Sequence, residues 1–544
     1  MTGRLRHLCL AVALLAPGAA AAAPVVDAPA GSVRGVEERG GLRVFKGIPY
    51  AVPPVGERRW RAPEPLPAWE GVREAAKFGA ACVQPKPRGP SIYGWDLPAM
   101  SEDCLSLNIW TPSGAAKAPV FVWIHGGALT TGSGGDPIYD GGALAKRGLV
   151  VVSINYRLGA LGYLAHPELS AESPDGLSGN YGLLDQIAAL DWVKANIAAF
   201  GGDPDNVTIA GESAGALSVM ALMAAPDARG LFHKAIAQSA YMVSAQALRE
   251  TQHGIVPAEE QGRDLAAKIG ATDLAALRAM DASTIAERTA TTGFFPFITI
   301  DGKVLPRQLV DTFDRNEQAL VPILAGFNSG EIRSLRFLLP KAPGGAAAYE
   351  AAARTAYGDL APLFLARYPA KNIEESLLAA TRDAMYGWTA ERLVSNQAAA
   401  GHGAYYYYFD HGYPATAEWN LHAFHAAELP YIFDTAERTP PLWPKIPNTL
   451  AERRMIAAMG DYWASFAATG KPRAKDQPDW PDYGEDRGFL HFADGPRAGK
   501  NLFPGMAALH EAVVCRRRAA GDIPWTWNVG IASPPLPPKV EGCQ

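Results

Sequence analysis

Ser213 stands in Gly211-Glu212-Ser213-Ala214-Gly215, a G-x-S-x-G spacing that suits a nucleophilic serine. A hydroxyl is a weak nucleophile at neutral pH. It becomes a strong one when a base takes its proton and a carboxylate orients that base. Before the motif, Val207-Thr208-Ile209 is β-branched and reads as the end of a buried strand, and Ala216 to Ala224 after it is apolar and helix-compatible. Strand, sharp turn and helix are the context that gives this spacing meaning. So tight a turn needs small residues two places either side of the serine, and Gly211 and Gly215 supply them.

On such a scaffold the acid follows the serine and the histidine comes last. Val321 to Gly326 reads as a strand, and the loop after it carries Asn328-Ser329-Gly330-Glu331, which makes Glu331 the best-placed carboxylate. Asp301 competes, but Gly302-Lys303 behind it marks a turn. The base must come after the strand Tyr405 to Phe409. His425 opens the apolar stretch His425-Ala426-Ala427-Glu428, and His422 lies three residues earlier, so spacing alone leaves both open. Acyl transfer also needs donors for an oxyanion. His125-Gly126-Gly127-Ala128 follows the apolar run 119–124, where the N–H groups of Gly127 and Ala128, with Gly126 shaping the turn, would join that of Ala214 around the developing charge. Losing one such donor costs about 3 kcal/mol of transition-state stabilisation.

The elements that must position these residues read as α/β. Pro119-Val120-Phe121-Val122-Trp123-Ile124 and Leu149 to Ile154 are apolar on both faces, as central parallel strands are. Helical stretches lie between and after them, notably Tyr181 to Ala199, and further strands are expected at Lys234 to Gln238, Val321 to Gly326 and Ala404 to Phe409. That alternation predicts a mostly parallel sheet with helices on both faces. Residues 24–115, rich in Pro, Gly and Trp, suggest small antiparallel strands and long connections. The segments near 256–290 and 341–400 look helical and read as insertions in one domain spanning 24–544.

Residues 1–23 stand apart. Arg4 and Arg6, the apolar run Leu8 to Leu15 and the small residues Ala19 to Ala23 have the layout of a secretory signal, too short to span a bilayer. The expectation is an exported protein, periplasmic or secreted, with no stable membrane anchor. Without Cys9 the chain keeps Cys82, Cys104, Cys515 and Cys543, which allow three pairings; export makes disulfides permissible, and pairing by proximity closes two short loops. The Pro-rich end, Pro534 to Pro538, suggests an extended and mobile tail. A net charge of −5 and the lack of a basic run with interleaved aromatics argue against nucleic acid as a partner. Cys and His show no metal-ligand spacing, and the chemistry needs neither metal nor organic cofactor.

With these residues in place the chain resembles the type-B carboxylesterase family, the cholinesterase-like branch of the α/β-hydrolase fold, over nearly all of the sequence after residue 23. Phe200-Gly201-Gly202 followed by Val207, Ile209 and Gly211 to Gly215 is similar to the family's serine signature. Glu102-Asp103-Cys104-Leu105-Ser106-Leu107-Asn108-Ile109 is similar to its second signature, with Ser106 where an aromatic residue or Thr is usual. The resemblance implies a Ser213–His425–Glu331 triad, because the family acid is Glu and its His is followed at the third place by an acid, as His425 is by Glu428. It also implies a Cys82–Cys104 disulfide carrying Trp95 on the loop it closes. Trp95 is one residue nearer Cys104 than the cholinesterase tryptophan that packs on a quaternary ammonium, which speaks against choline specificity. Phe294-Phe295-Pro296-Phe297 is similar to the segment that narrows the acyl pocket. After Glu331 the family's usual Gly is replaced by Ile332, then Arg333 and Arg336 follow; a guanidinium reaching the gorge would hold a substrate carboxylate bidentately. The implied activity is hydrolysis of a small carboxylic ester through an acyl-enzyme, the alternatives being a lipase or an esterase for aromatic or polycarboxylate esters. A catalytically silent binding protein of the same fold would be expected to lack the serine.

Overall fold

The computed structural model describes residues 23–96, 99–525 and 530–543. The expected signal segment, residues 1–23, lies outside them except for Ala23. Eleven strands form the main sheet: β1 (Val36–Glu38), β2 (Leu42–Pro49), β3 (Ser106–Pro112), β4 (Ala118–Ile124), β5 (Val150–Ile154), β6 (Gly202–Glu212), β7 (Lys234–Gln238), β8 (Ile323–Asn328), β9 (Ala404–Phe409), β10 (Gly488–Phe492) and β11 (Pro496–Lys500). Their order across the sheet is β11-β10-β9-β8-β7-β6-β4-β5-β3-β2-β1. From β10 to β5 every neighbouring pair is parallel. Antiparallel strands close both ends, β11 on β10 and the run β3, β2, β1 beyond β5. Of the small antiparallel strands expected before residue 115, β1, β2 and β3 extend the main sheet, whereas Val25–Ala28 and Gly31–Arg34 pair in a separate small sheet with Val72–Glu74.

The parallel strands are apolar throughout because successive residues enter two different cores. Val120, Val122 and Ile124 of β4 pack into one, with Leu183 and Ile187 of α1 (Tyr181–Asn196) and Leu217 and Met220 of α2 (Ala214–Ala224). Phe121 and Trp123 pack into the other, with the helix Leu450–Thr469 on its far side. Every residue of α2 is buried, which explains why its sequence shows no polar face. The helix expected over 181–199 tightens into a 3₁₀ turn at Ile197–Phe200 and ends at Gly201, whose φ is 86°. Strand β8 begins two residues later than expected and runs to Asn328, because Pro322 has no N–H to give to the ladder.

Helices fill the segments expected to be insertions, with Ala258–Ile269 and Ala282–Thr289 in the first and Ala346–Tyr357, α3 (Ile373–Arg382) and Trp388–Ala399 in the second. Three further helices bear on the site or the terminus: α4 (Leu429–Phe433), α5 (Leu450–Thr469) and α6 (Met506–Ala520). Disulfides join Cys82 to Cys104 and Cys515 to Cys543. The second anchors the C-terminal segment to α6. Leu536 N–H also bonds to Ala356 O (3.0 Å) and Arg517 Nη2 to Pro534 O (3.2 Å), so the tail expected to be mobile is pinned along the surface. Among the described residues no helix is long and apolar enough to cross a membrane.

Candidate active site

The end of β6 and the start of α2 meet at Ser213, which sits at φ 56° and ψ −121°. A non-glycine residue there is strained by about 1–3 kcal/mol and persists only where the surroundings fix it. They do. Ser213 N–H bonds to Gln238 O at the end of β7 (2.9 Å), and Leu217 N–H bonds back to Ser213 O (2.9 Å). The flanking glycines are steric necessities. A Cβ on Gly211 would lie 2.4 Å from the Gly215 carbonyl carbon, and one on Gly215 would lie 2.1 Å from Ile124 O. The serine is thereby lifted to the C-terminal edge of the parallel strands.

Two later strands bring the other charged groups to the same edge. Glu331 follows β8 in a single 3₁₀ turn, Glu331–Arg333, and is fully buried. His425 lies in the turn before α4 and is also buried. Its Nδ1 is 2.5 Å from Glu331 Oε2, and Glu331 Oε1 accepts from Ser239 Oγ (2.6 Å) and Asn328 N–H (2.7 Å). Glu331 thus has both oxygens engaged and, when the ring is neutral, holds it in the tautomer whose Nε2 carries a lone pair. That Nε2 lies 3.1 Å from Oε1 of Glu212, the residue before the serine; the approach lacks hydrogen-bond alignment, and Oε1 has no such partner among the described residues. Nor does a hydrogen bond join Ser213 to His425 among the described residues, a contact that often tightens only when substrate is bound. His422, the competing histidine, is exposed on the surface. Asp301 holds a turn: its carboxylate accepts from Lys303 N–H, Leu305 N–H and Asn180 Nδ2.

Three carboxylates surround the imidazole. Burial acts to lower the His425 pKa, but Glu212 and Glu331, the latter also by its hydrogen bond, outweigh it and raise it to about 9. Burial pushes Glu212 up to about 8 against the opposing pull of His425. Glu428 is raised to about 7, again by burial, although Asn328 Nδ2 (2.6 Å) and Gln238 Nε2 (2.9 Å) both donate to it. Trp463 of α5 fixes Gln238 in turn through Nε1 to Oε1 (3.0 Å). The sequence pattern assigns no role to Glu212, Ser239, Gln238 or Asn328. The usable signal was adjacency, since Glu212 and Asn328 lie within three residues of Ser213 and Glu331.

The glycine loop after β4 packs against the elbow. A Cβ on Gly126 would lie 2.8 Å from Glu212 O and 3.3 Å from Ser213 Cβ, so only glycine lets the loop come this close. Gly127, Ala128 and Leu129 continue at φ 103°, 55° and 57°, turning the backbone at the serine's side. His125, at the root of the loop, is anchored by Nδ1 on Gly126 O (2.8 Å), by Tyr156 OH on its carbonyl (2.8 Å) and by stacking on the Tyr156 ring (4.5 Å). Burial lowers its pKa to about 4, so the ring is neutral. Ala214, the first residue of α2, directs the helix N-terminus at the same place.

The expected substrate-contacting residues are scattered. Phe294 lines an apolar cleft with Thr130, Leu158, Ile285, Ala290 and Pro296, beside the glycine loop. Phe295 is exposed, and Phe297 packs half-buried against the larger core. Trp95 packs half-buried against the other core. Arg333 is not brought to His425. Its guanidinium pairs with Glu375 of α3 (2.5 Å) and with Asn420 Oδ1 (2.9 Å), in a polar cleft shared with Arg382, Asp410 and His422. Arg336 pairs with Glu374. The expectation of a guanidinium waiting in the gorge gives way to two ion pairs with the insertion helix.

A serine on a strand–helix elbow at the C-terminal edge of a parallel sheet, with glutamate and histidine delivered by later strand ends, defines an α/β-hydrolase. The model of the carboxylesterase family matches residues 22–507, and the chain belongs to that family. It is 38% identical over 476 residues to para-nitrobenzyl esterase of Bacillus subtilis, covering 85% of this chain and 93% of that one. It is 36% identical over 491 residues to fumonisin B1 esterase of Sphingopyxis macrogoltabida, covering 87% of each. Among solved structures, a Geobacillus stearothermophilus carboxylesterase is similar with a TM-score of 0.76 at 35% identity, over 89% of this chain and 99% of that one. The protein is a carboxylic ester hydrolase of the type-B carboxylesterase kind.

Proposed function

We propose that the protein is an exported serine carboxylesterase that works through an acyl-enzyme, with Ser213 as nucleophile, His425 as base and Glu331 as its orienting acid. The observation that carries this reading is the buried His425–Glu331 pair beside the strained elbow of Ser213. Ser213 Oγ attacks the ester carbonyl while its proton passes to His425 Nε2, and Glu331 stabilises the imidazolium. The N–H groups of Gly127, Ala128 and Ala214 bind the oxyanion. Collapse expels the alcohol, which takes the proton from His425. Water then attacks the acyl-enzyme with His425 again as base, and the carboxylic acid leaves.

Export is supported by the signal-like residues 1–23 and by two disulfides, which an oxidising compartment preserves. As substrate we propose a small ester with an apolar acyl or aryl group, for which the cleft at Phe294 and Thr130 offers a wall beside the glycine loop. A polycarboxylate preference loses its support with Arg333 and Arg336 held by glutamates. The test is hydrolysis of p-nitrophenyl acetate and butyrate by the parent and by Ser213→Ala. The proposal expects activity in the parent and none above background in the variant; equal activity in both would refute it.

A further inference from the structure

Three successive carbonyls of the turn that carries His425 are each gripped from outside the turn. Gly330 N–H bonds to Ala423 O (2.7 Å), Asn328 Nδ2 to Phe424 O (2.9 Å), and the Tyr93 hydroxyl to His425 O (2.9 Å). The first two donors lie just before Glu331 in sequence, so they tie acid and base to one another. The third comes from a different part of the chain, the loop closed by Cys82–Cys104.

The turn needs such support. Ala426, directly after His425, has φ 67°, a left-handed conformation that a residue with a Cβ adopts only when held there. Tyr93 is suited to hold it. Its ring meets Trp443 edge-on (6.0 Å) and lies against Phe424 (6.4 Å), and those two rings are themselves 4.7 Å apart. A phenol has a single proton and a carbonyl can only accept. The Tyr93 proton therefore goes to His425 O, and Ser334 Oγ, 2.7 Å away, can donate to the phenol oxygen. Burial raises the phenol well above its usual range; Ser334 opposes this, and Glu212, Glu331 and Glu428 add to it. Tyr93 remains a neutral donor at any pH where the enzyme would be assayed.

We propose that Tyr93 is a positioning residue for His425, fixing the backbone of the base to the disulfide-closed loop so that the imidazole stands correctly between Glu331 and Ser213. This rests on His425 being the base. The hydroxyl acts on the ring only through the backbone, so its loss is felt in the chemical step and not in ground-state binding.

The experiment compares Tyr93→Phe with the parent on p-nitrophenyl butyrate, with kcat normalised to sites titrated by an organophosphate so that misfolded protein does not count. Phenylalanine keeps the packing on Trp443 and Phe424 and removes the proton. A misplacement of ~1 Å costs up to about 100-fold; with two carbonyl grips intact, a fall in kcat of roughly 10-fold is expected. KM should stay near the parent value, and the acid limb of kcat/KM should move to lower pH as the hold of Glu331 on the ring loosens. Parent-like kcat and pH profile in Tyr93→Phe would overturn the proposal, as would a change confined to KM. His425→Ala, assayed beside it, separates the two levels. If that variant is inactive and Tyr93→Phe is fully active, only the positioning role fails; if His425→Ala is active, the reading beneath it fails.

Discussion

His425 and His411 are both buried histidines paired to a buried glutamate, and both are raised above the ordinary histidine range. Their second nitrogens differ. His411 uses both: Nδ1 lies 2.6 Å from Ala493 O, and Nε2 lies 2.8 Å from Glu452 Oε2, an oxygen that also accepts from Tyr431 OH (2.7 Å). His425 uses Nδ1 on Glu331 and, among the described residues, leaves Nε2 without an aligned hydrogen bond, facing Glu212 at the serine elbow. A carboxylate partner does not by itself mark a catalytic base. The mark is a second nitrogen kept free beside a nucleophile, with the first nitrogen anchored. His411 links the chain after β9 to the first turn of α5, and the same chemistry there makes a structural tie.

The largest expected effect breaks the comparison at its functional end. His425→Ala should lower kcat by about 10⁴-fold or more. His411→Ala should leave kcat within a few-fold and lower unfolding stability by about 2 kcal/mol, because it strips a charge-assisted partner from buried Glu452. Steady-state kinetics and denaturant unfolding of both variants check this, and a catalytic loss at His411 equal to that at His425 would contradict it. Next in size is Glu331→Gln. An amide that can donate to Nδ1 favours the tautomer with its proton on the wrong nitrogen, and kcat should fall by roughly 10³- to 10⁴-fold with KM little changed.

The smallest effect is on pH dependence. The proposed base, His425, can accept a proton only when neutral, so kcat/KM should decline as pH falls through its raised pKa, at a midpoint above that of an ordinary histidine. Glu212 and Glu331 are what raise it. Glu212→Gln removes one of those charges and should move the midpoint to lower pH. A profile that stays put, or moves up, would show that Glu212 does not face the ring in solution.

The parts of this site legible in the sequence are those that sterics or local order dictate. The elbow could be read because a turn at φ 56° demands glycine at 211 and 215, and the parallel strands because burial on both faces leaves runs such as 119–124 apolar. Glu331 could be read because acids sit just past strand ends in this fold. Between His422 and His425 the residues alone did not decide; family resemblance did, and the structure puts His422 at the surface. What stayed hidden depends on contacts between distant segments. Ser239 reaches Glu331 across 92 residues, and Tyr93 reaches His425 across 332. The place of Arg333 stayed open for the same reason, since the glutamate that claims it lies on α3, 42 residues on, and nothing local announces the pair.

The central claim is that Ser213 carries the acyl group and that His425, not His411, puts it there. The most direct measurement is rapid-mix p-nitrophenyl acetate followed by acid quench and peptide mass mapping, on the parent and on the two histidine variants. One acetyl group per chain is expected on the peptide bearing Ser213 in the parent and in His411→Ala, and none in His425→Ala. Acetyl on another residue, or on Ser213 at the parent rate in His425→Ala, would contradict it.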